Sequence, residues 1–171
     1  MFKKLLFGLF ISLFFVTKVA AQSVDYYLPY PGILPDHPLY WLKMVRDRVG
    51  LLTTTNETAK VEKLLLYADK RLGAAWALIE GNKVPLGAST LTKGEKYLEQ
   101  AWNKGKNLPL QPKLRKAIKK HLEVLTGLKE KSGDYGDLVE GMIAKLETIN
   151  DQAQPEISQA KFLISFGDSA I

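Results

Sequence analysis

The chain has 171 residues, 46% of them apolar, a net charge of +6 and no cysteine. That composition excludes a disulfide framework, thiolate metal or redox chemistry and a lipid-modified cysteine, and it is apolar enough to exclude a wholly disordered chain. It allows one domain with an ordinary core.

Residues 1–21 read MFKKLLFGLFISLFFVTKVAA. Lys3 and Lys4 precede an apolar run from Leu5 to Val16, and small residues follow, with cleavage expected between Ala21 and Gln22. The run stops short of the roughly 18–20 residues that a spanning helix needs, so a cleaved export signal is preferred to an N-terminal membrane anchor. Lys3, Lys4 and Lys18 lie before Gln22 and no acid does, which leaves 21 basic and 18 acidic residues, a net charge of +3. So modest a surplus is no nucleic-acid signature.

Residues 22–36 form an extended strap. Pro29, Pro31 and Pro35 fix φ, remove donors and push their predecessors toward extended backbone. Tyr26, Tyr27, Tyr30, Ile33 and Leu34 are too apolar for a free linker, so they are expected to dock on a helix surface, with Tyr27, Tyr30, Ile33 and Leu34 as the named docking residues; the alternative is a polyproline ligand for a partner. Asp36 is read as the N-cap of a first helix, with Pro38 in its first turn. Leu39, Leu42, Met44, Val45, Val49 and Leu52 make its expected buried face, against Lys43, Arg46, Asp47 and Arg48.

Asn56 or Thr55 caps a long second helix to about Glu80, whose stripe is Val61, Leu64, Leu65, Ala68, Leu72, Ala75 and Ile79. Asn56-Glu57-Thr58 also fits a glycosylation acceptor, but capping explains it. Gly81-Asn82 ends the helix. A third begins near Pro85, with Leu91, Leu98, Ala101 and Trp102 inward, and a fourth spans about 112–131, with Leu114, Ile118, His121, Leu122, Leu125 and Leu128 inward. Ser132-Gly133 breaks it, and a fifth covers about 134–152 with Tyr135, Leu138, Met142, Leu146 and Ile149. No strand-like alternation of useful length occurs. Short links between long helices predict an all-α, up-and-down antiparallel bundle of about five helices over 37–153. Residues 154–171 hold a possible short docking helix.

PGILPDHPLYWLKMVRDRVG at 31–50 and YADKRLGAAWALIEGNK at 67–83 resemble an uncharacterised family of exported bacterial domains. The shared features are an export signal, a proline strap, a Pro-Leu-Tyr helix start and a helix bearing Ala-Asp-Lys-Arg-Leu. The match covers roughly residues 28–102. The resemblance implies an all-helical exported module and carries over no catalytic residue.

For chemistry, the two histidines, His37 and His121, are far apart, and neither a metal-ligand pattern, a nucleophile elbow nor a phosphate loop is present. No cofactor is expected. His121 lies on an apolar stripe and reads as a core histidine. Glu95 and Glu99 are one turn apart and are the residues named for an enzyme reading, although a solvated face with Lys96, Lys104 and Lys106 is preferred. Arg46, Arg48 and Arg71 are the candidate partner or anion surface. Asp47 is expected to bridge to Arg71, or Asp69 to Arg46 or Arg48. Residues 111–131 carry a net +5 and 134–156 a net −5, so Lys113, Arg115 and Lys116 are expected near Glu147 and Asp151. Trp41, Trp76 and Trp102 read as packing residues rather than a glycan or peptide groove.

The functional expectation is a non-catalytic protein-interaction or structural module of the cell envelope. It is exported (periplasmic, cell-surface or secreted), with an envelope or extracellular protein as partner, no nucleic acid, and membrane contact only through the N-terminal segment if uncleaved. Alternatives are a small-ligand or cell-wall polymer binder, and an enzyme.

Overall fold

A computed structural model describes residues 25–152. The expected cleavage at Ala21–Gln22 and the C-terminal docking helix lie outside the described residues. Among the described residues five α-helices follow the strap: α1 (Tyr40–Leu52), α2 (Glu57–Glu80), α3 (Val84–Gly105), α4 (Gln111–Lys129) and α5 (Gly136–Gln152), with a 3₁₀ segment at Glu130–Tyr135 before α5. No strand occurs among the described residues. The all-α, up-and-down class expected from the helical periods and short links is what the chain adopts. No described helix is long and apolar enough to cross a membrane.

Helices α2–α5 enclose the core. The predicted stripe of α2 is buried throughout, as are Leu91, Leu98, Ala101 and Trp102 of α3 and Leu114, Ile118, Leu125 and Leu128 of α4. Asn56 caps α2 as expected, its Oδ1 accepting from the Ala59 N–H at 2.9 Å. Asn82, at φ +58°, makes the left-handed turn after α2. Two helical glycines of α3 let it approach closely. A Cβ on Gly87 would lie 2.5 Å from Ile79 Cγ1 and 3.2 Å from the Ala75 carbonyl, and one on Gly105 would lie 2.6 Å from Leu114 Cδ1. Gly133, at φ +51°, makes the break expected at Ser132-Gly133. In α5 the inward positions are Val139, Leu146 and Ile149, while the expected Leu138 is exposed.

Outside the bundle, the expectations change sign. The expected buried face of α1 is exposed: Leu39, Leu42, Met44, Val45, Val49 and Leu52 all face solvent, Leu52 at 76%, and the only buried residue of the helix is Asp47, at 3%. Polar anchoring holds α1 this way round. Lys43 Nζ donates to the carbonyls of Pro31 and Ile33 at 2.7 and 3.1 Å, tying α1 to the strap. Lys63 of α2 donates to the Gly50 carbonyl at 3.0 Å and to Thr54 Oγ1 at 2.7 Å, closing the last turn. Asp36 does not cap α1. It pairs with Lys83 at 2.5 Å, and His37 Nδ1 instead accepts from the Leu39 N–H at 3.1 Å.

The strap docks through only part of the expected set. Tyr27 is 91% exposed and Tyr30 and Ile33 also project outward, while Leu34 is half-buried. Tyr26, as expected, packs against the core, joined by Leu28, and the Pro31 ring lies against Gly73. In an extended chain alternate residues face opposite ways, so seating Tyr26 and Leu28 turns Tyr27 out.

Candidate functional site

Two arrangements of functional side chains stand out. The first is a buried polar chain across the bundle. His121 of α4 is 0% exposed, and both its ring nitrogens are engaged: Nδ1 with Glu95 Oε1 of α3 at 2.8 Å and Nε2 with Asp69 Oδ1 of α2 at 3.1 Å. Tyr26 of the strap donates its hydroxyl to Asp69 Oδ2 at 2.6 Å. Burial disfavours the imidazolium, but Glu95 and Asp69 outweigh it, and the pKa of His121 is raised to about 9. At neutral pH the ring is therefore a cation held by two carboxylates. Burial, then the charge of Asp69, pushes the Tyr26 hydroxyl well above its ordinary value, so it stays a donor. This chain pins the strap and three helices together, and the enclosed ring has no direct route to solvent. Among the described residues no group of three or more His, Asp or Glu side chains is placed to hold a metal ion.

The polar chain corrects several sequence expectations. His121 is the core histidine the periodicity implied. Glu95, expected on a solvated face, is drawn inward by His121, leaving Oε2 buried without a partner. Glu99 faces Lys145 of α5 at 2.7 Å, so the two glutamates serve different contacts. Asp69 forms no pair with Arg46 or Arg48, and Asp47 none with Arg71; Asp47 accepts from its neighbour Arg46 at 2.8 Å. A signal for the chain was present. Asp69 lies between Leu65 and Leu72, Glu95 between Leu91 and Leu98, and His121 between Ile118 and Leu125, so three polar groups occupy core levels of three helices.

The second arrangement is a trough of about 500 Å³ between α1, α2 and α3, walled by Trp41, Met44 and Val45 and holding Arg48, Arg71 and Lys93, with Tyr97. It shares Arg48, Lys93 and Tyr97 with a neighbouring hollow of about 370 Å³ that adds Leu52 and Lys96. Neither is lined by a carboxylate. Arg71, 9% exposed, lies 4.4 Å over the Tyr97 ring. Among the described residues its guanidinium forms no ion pair, and its buried Nε has no hydrogen-bond partner. Of the three arginines singled out in the sequence, Arg48 and Arg71 meet here and Arg46 is occupied by Asp47. Lys93 was missed, because a lone lysine on a helix surface carries no signal until α1 lies beside it.

The remaining expectations divide. Trp102 is buried, but Trp41 and Trp76 are exposed, Trp76 donating to Glu80 at 3.2 Å. Lys113 approaches Glu62 of α2 at 4.0 Å rather than Glu147 or Asp151, and among the described residues the ion pair between α4 and α5 is Lys129–Glu140, at 2.5 Å.

Fold and sites together define an all-helical bundle module with an outlying, outward-apolar helix. The chain belongs to the family described as domain of unknown function (DUF5667), whose model matches residues 32–135, more than half of the chain. That match reaches beyond the roughly 28–102 on which the sequence resemblance rested and takes in α4 and His121. No curated protein and no solved structure matches the chain.

Proposed function

We propose that the chain is an exported, non-catalytic docking module of the cell envelope, and that α1 is its docking element. The observation that carries this reading is the inverted amphipathicity of α1. A helix packed on a globular domain normally buries its apolar stripe. Here the helix buries Asp47 and turns Trp41, Val45, Val49 and Leu52 outward. Contiguous exposed apolar surface of this kind marks interaction sites. The export signal expected in residues 1–21 supports an envelope or extracellular setting.

The test uses the purified chain from Gln22 added to isolated envelopes. It sediments with them, and the Val45→Ser, Val49→Ser, Leu52→Ser triple variant stays in solution with an unchanged melting temperature. Equal sedimentation of both proteins, or none of either, overturns the reading.

A further inference from the structure

The trough beside α1 names the surface on which the module docks, and this inference rests on the docking reading above. An arginine that is nine-tenths buried without a counter-ion is costly, since desolvation is recovered only through a paired charge and satisfied donors. Arg71 is in that position, fixed against Tyr97 with its Nε unmet, and Arg48 and Lys93 converge on the same hollow with Lys96 next to it. No acid lines either hollow.

Several cations around one hollow exceed what a single carboxylate or a single phosphodiester neutralises, and they suit a leaflet that presents many anionic headgroups side by side. The guanidinium fork also matches phosphate oxygens in geometry. The rim selects further. A free inorganic phosphate would gain nothing from Trp41, Met44, Val45 and Leu52, whereas a phosphate carrying acyl chains would. An apolar helix face flanked by basic residues is what lies in the surface plane of a bilayer.

We infer that the trough seats the headgroup phosphate of an anionic phospholipid on Arg48, Arg71 and Lys93, with the outward face of α1 against the leaflet. Membrane contact is then not confined to the N-terminal segment.

Co-sedimentation of the chain from Gln22 with phosphatidylcholine vesicles, with and without phosphatidylglycerol, tests this. The protein sediments with the mixed vesicles alone, and the binding weakens as salt rises. Arg71→Gln and Lys93→Gln each weaken it about fivefold, the weight of one cation at an anionic leaflet. Arg71→Gln does so without lowering the melting temperature, because it removes an unpaired buried charge. Should that variant fail to fold, Lys93→Gln and Arg48→Gln, both exposed, carry the test. The Lys113→Gln, Lys116→Gln variant removes charge from α4 and binds like the wild type; equal weakening by it would reduce the effect to bulk charge and overturn the site. A rise in melting temperature with inorganic phosphate, seen in the wild type and lost in Arg71→Gln, without vesicle binding, would assign a soluble phosphate ligand and overturn the lipid seat. Envelope association without any vesicle binding would do the same while leaving the docking reading intact, since the partner is then a protein.

Discussion

At Asp69, two hydrogen bonds from different parts of the chain meet on one carboxylate, Tyr26 from the strap and His121 from α4. Tyr26→Phe removes the first and leaves a buried charged acceptor short of a donor. It should lower stability by about 1–3 kcal/mol in urea denaturation, while Tyr27→Phe, one residue on and exposed, changes nothing measurable. His121 gives a pH dependence whose sign follows from its surroundings. Its folded pKa, about 9, lies above the ordinary value of 6.5. The stabilisation is therefore fully present below about pH 6.5 and declines as pH rises through 9, by up to about 3 kcal/mol. Denaturation midpoints at pH 6 and pH 9 check this. His121→Leu leaves two buried carboxylates without their cation; it should abolish that decline and lower stability at neutral pH by about 3–5 kcal/mol. The histidine was legible in the sequence as a core residue; Asp69 and Glu95 fall at core levels of their helices, but their spacing does not tell that they turn toward it. Asp69 and Glu95 stand one position beside Ala68 and Gly94, and a stripe read at one-residue precision cannot tell a polar group that points into the core from one on its flank.

Among the elements, α2, α3 and α4 follow from periodicity because each has one continuous apolar stripe and neighbours to cover it. Their close packing makes two helical glycines behave oppositely. Gly87→Ala drives a methyl into Ile79 and toward the immobile Ala75 carbonyl, and should cost about 1–3 kcal/mol in spite of its better helix propensity. Gly127→Ala in α4 meets nothing within 4 Å and should stabilise by about 0.5–1 kcal/mol. Thermal melts of the two variants should shift in opposite directions. Helix α1 shows where periodicity stops. Its spacing establishes that one face is apolar but not that the face has an inside to meet. Four helices already enclose the core, so a fifth of only 13 residues, anchored by Lys43 and Lys63, can sit outside with its stripe outward. The strap fails in sequence for a related reason. Its composition shows that it docks, but which alternate residues turn inward is set by where Asp69 stands on α2.

For the whole molecule, the uneven distribution of buried apolar surface implies uneven stability. Helices α2–α5 hold the buried apolar cluster, and α1 adds none of its fully buried members. What keeps α1 in place is a small set of hydrogen bonds at its two ends and its seat against α2. Elements with few buried apolar contacts open separately from the rest. Native-state hydrogen exchange should find the α1 amides on the order of 100-fold less protected than those of α2, with the two rates converging only near global unfolding. Deleting residues 22–35 removes the acceptors of Lys43 as well as Tyr26 and Leu28, so it should widen that gap and lower the melting temperature of the bundle. Equal protection in α1 and α2 would mean that the outward face is already covered by another part of the chain, and the docking reading would lose its surface. A gap that closes when phosphatidylglycerol vesicles are added would show α1 gaining from the leaflet the apolar contacts that the bundle does not provide.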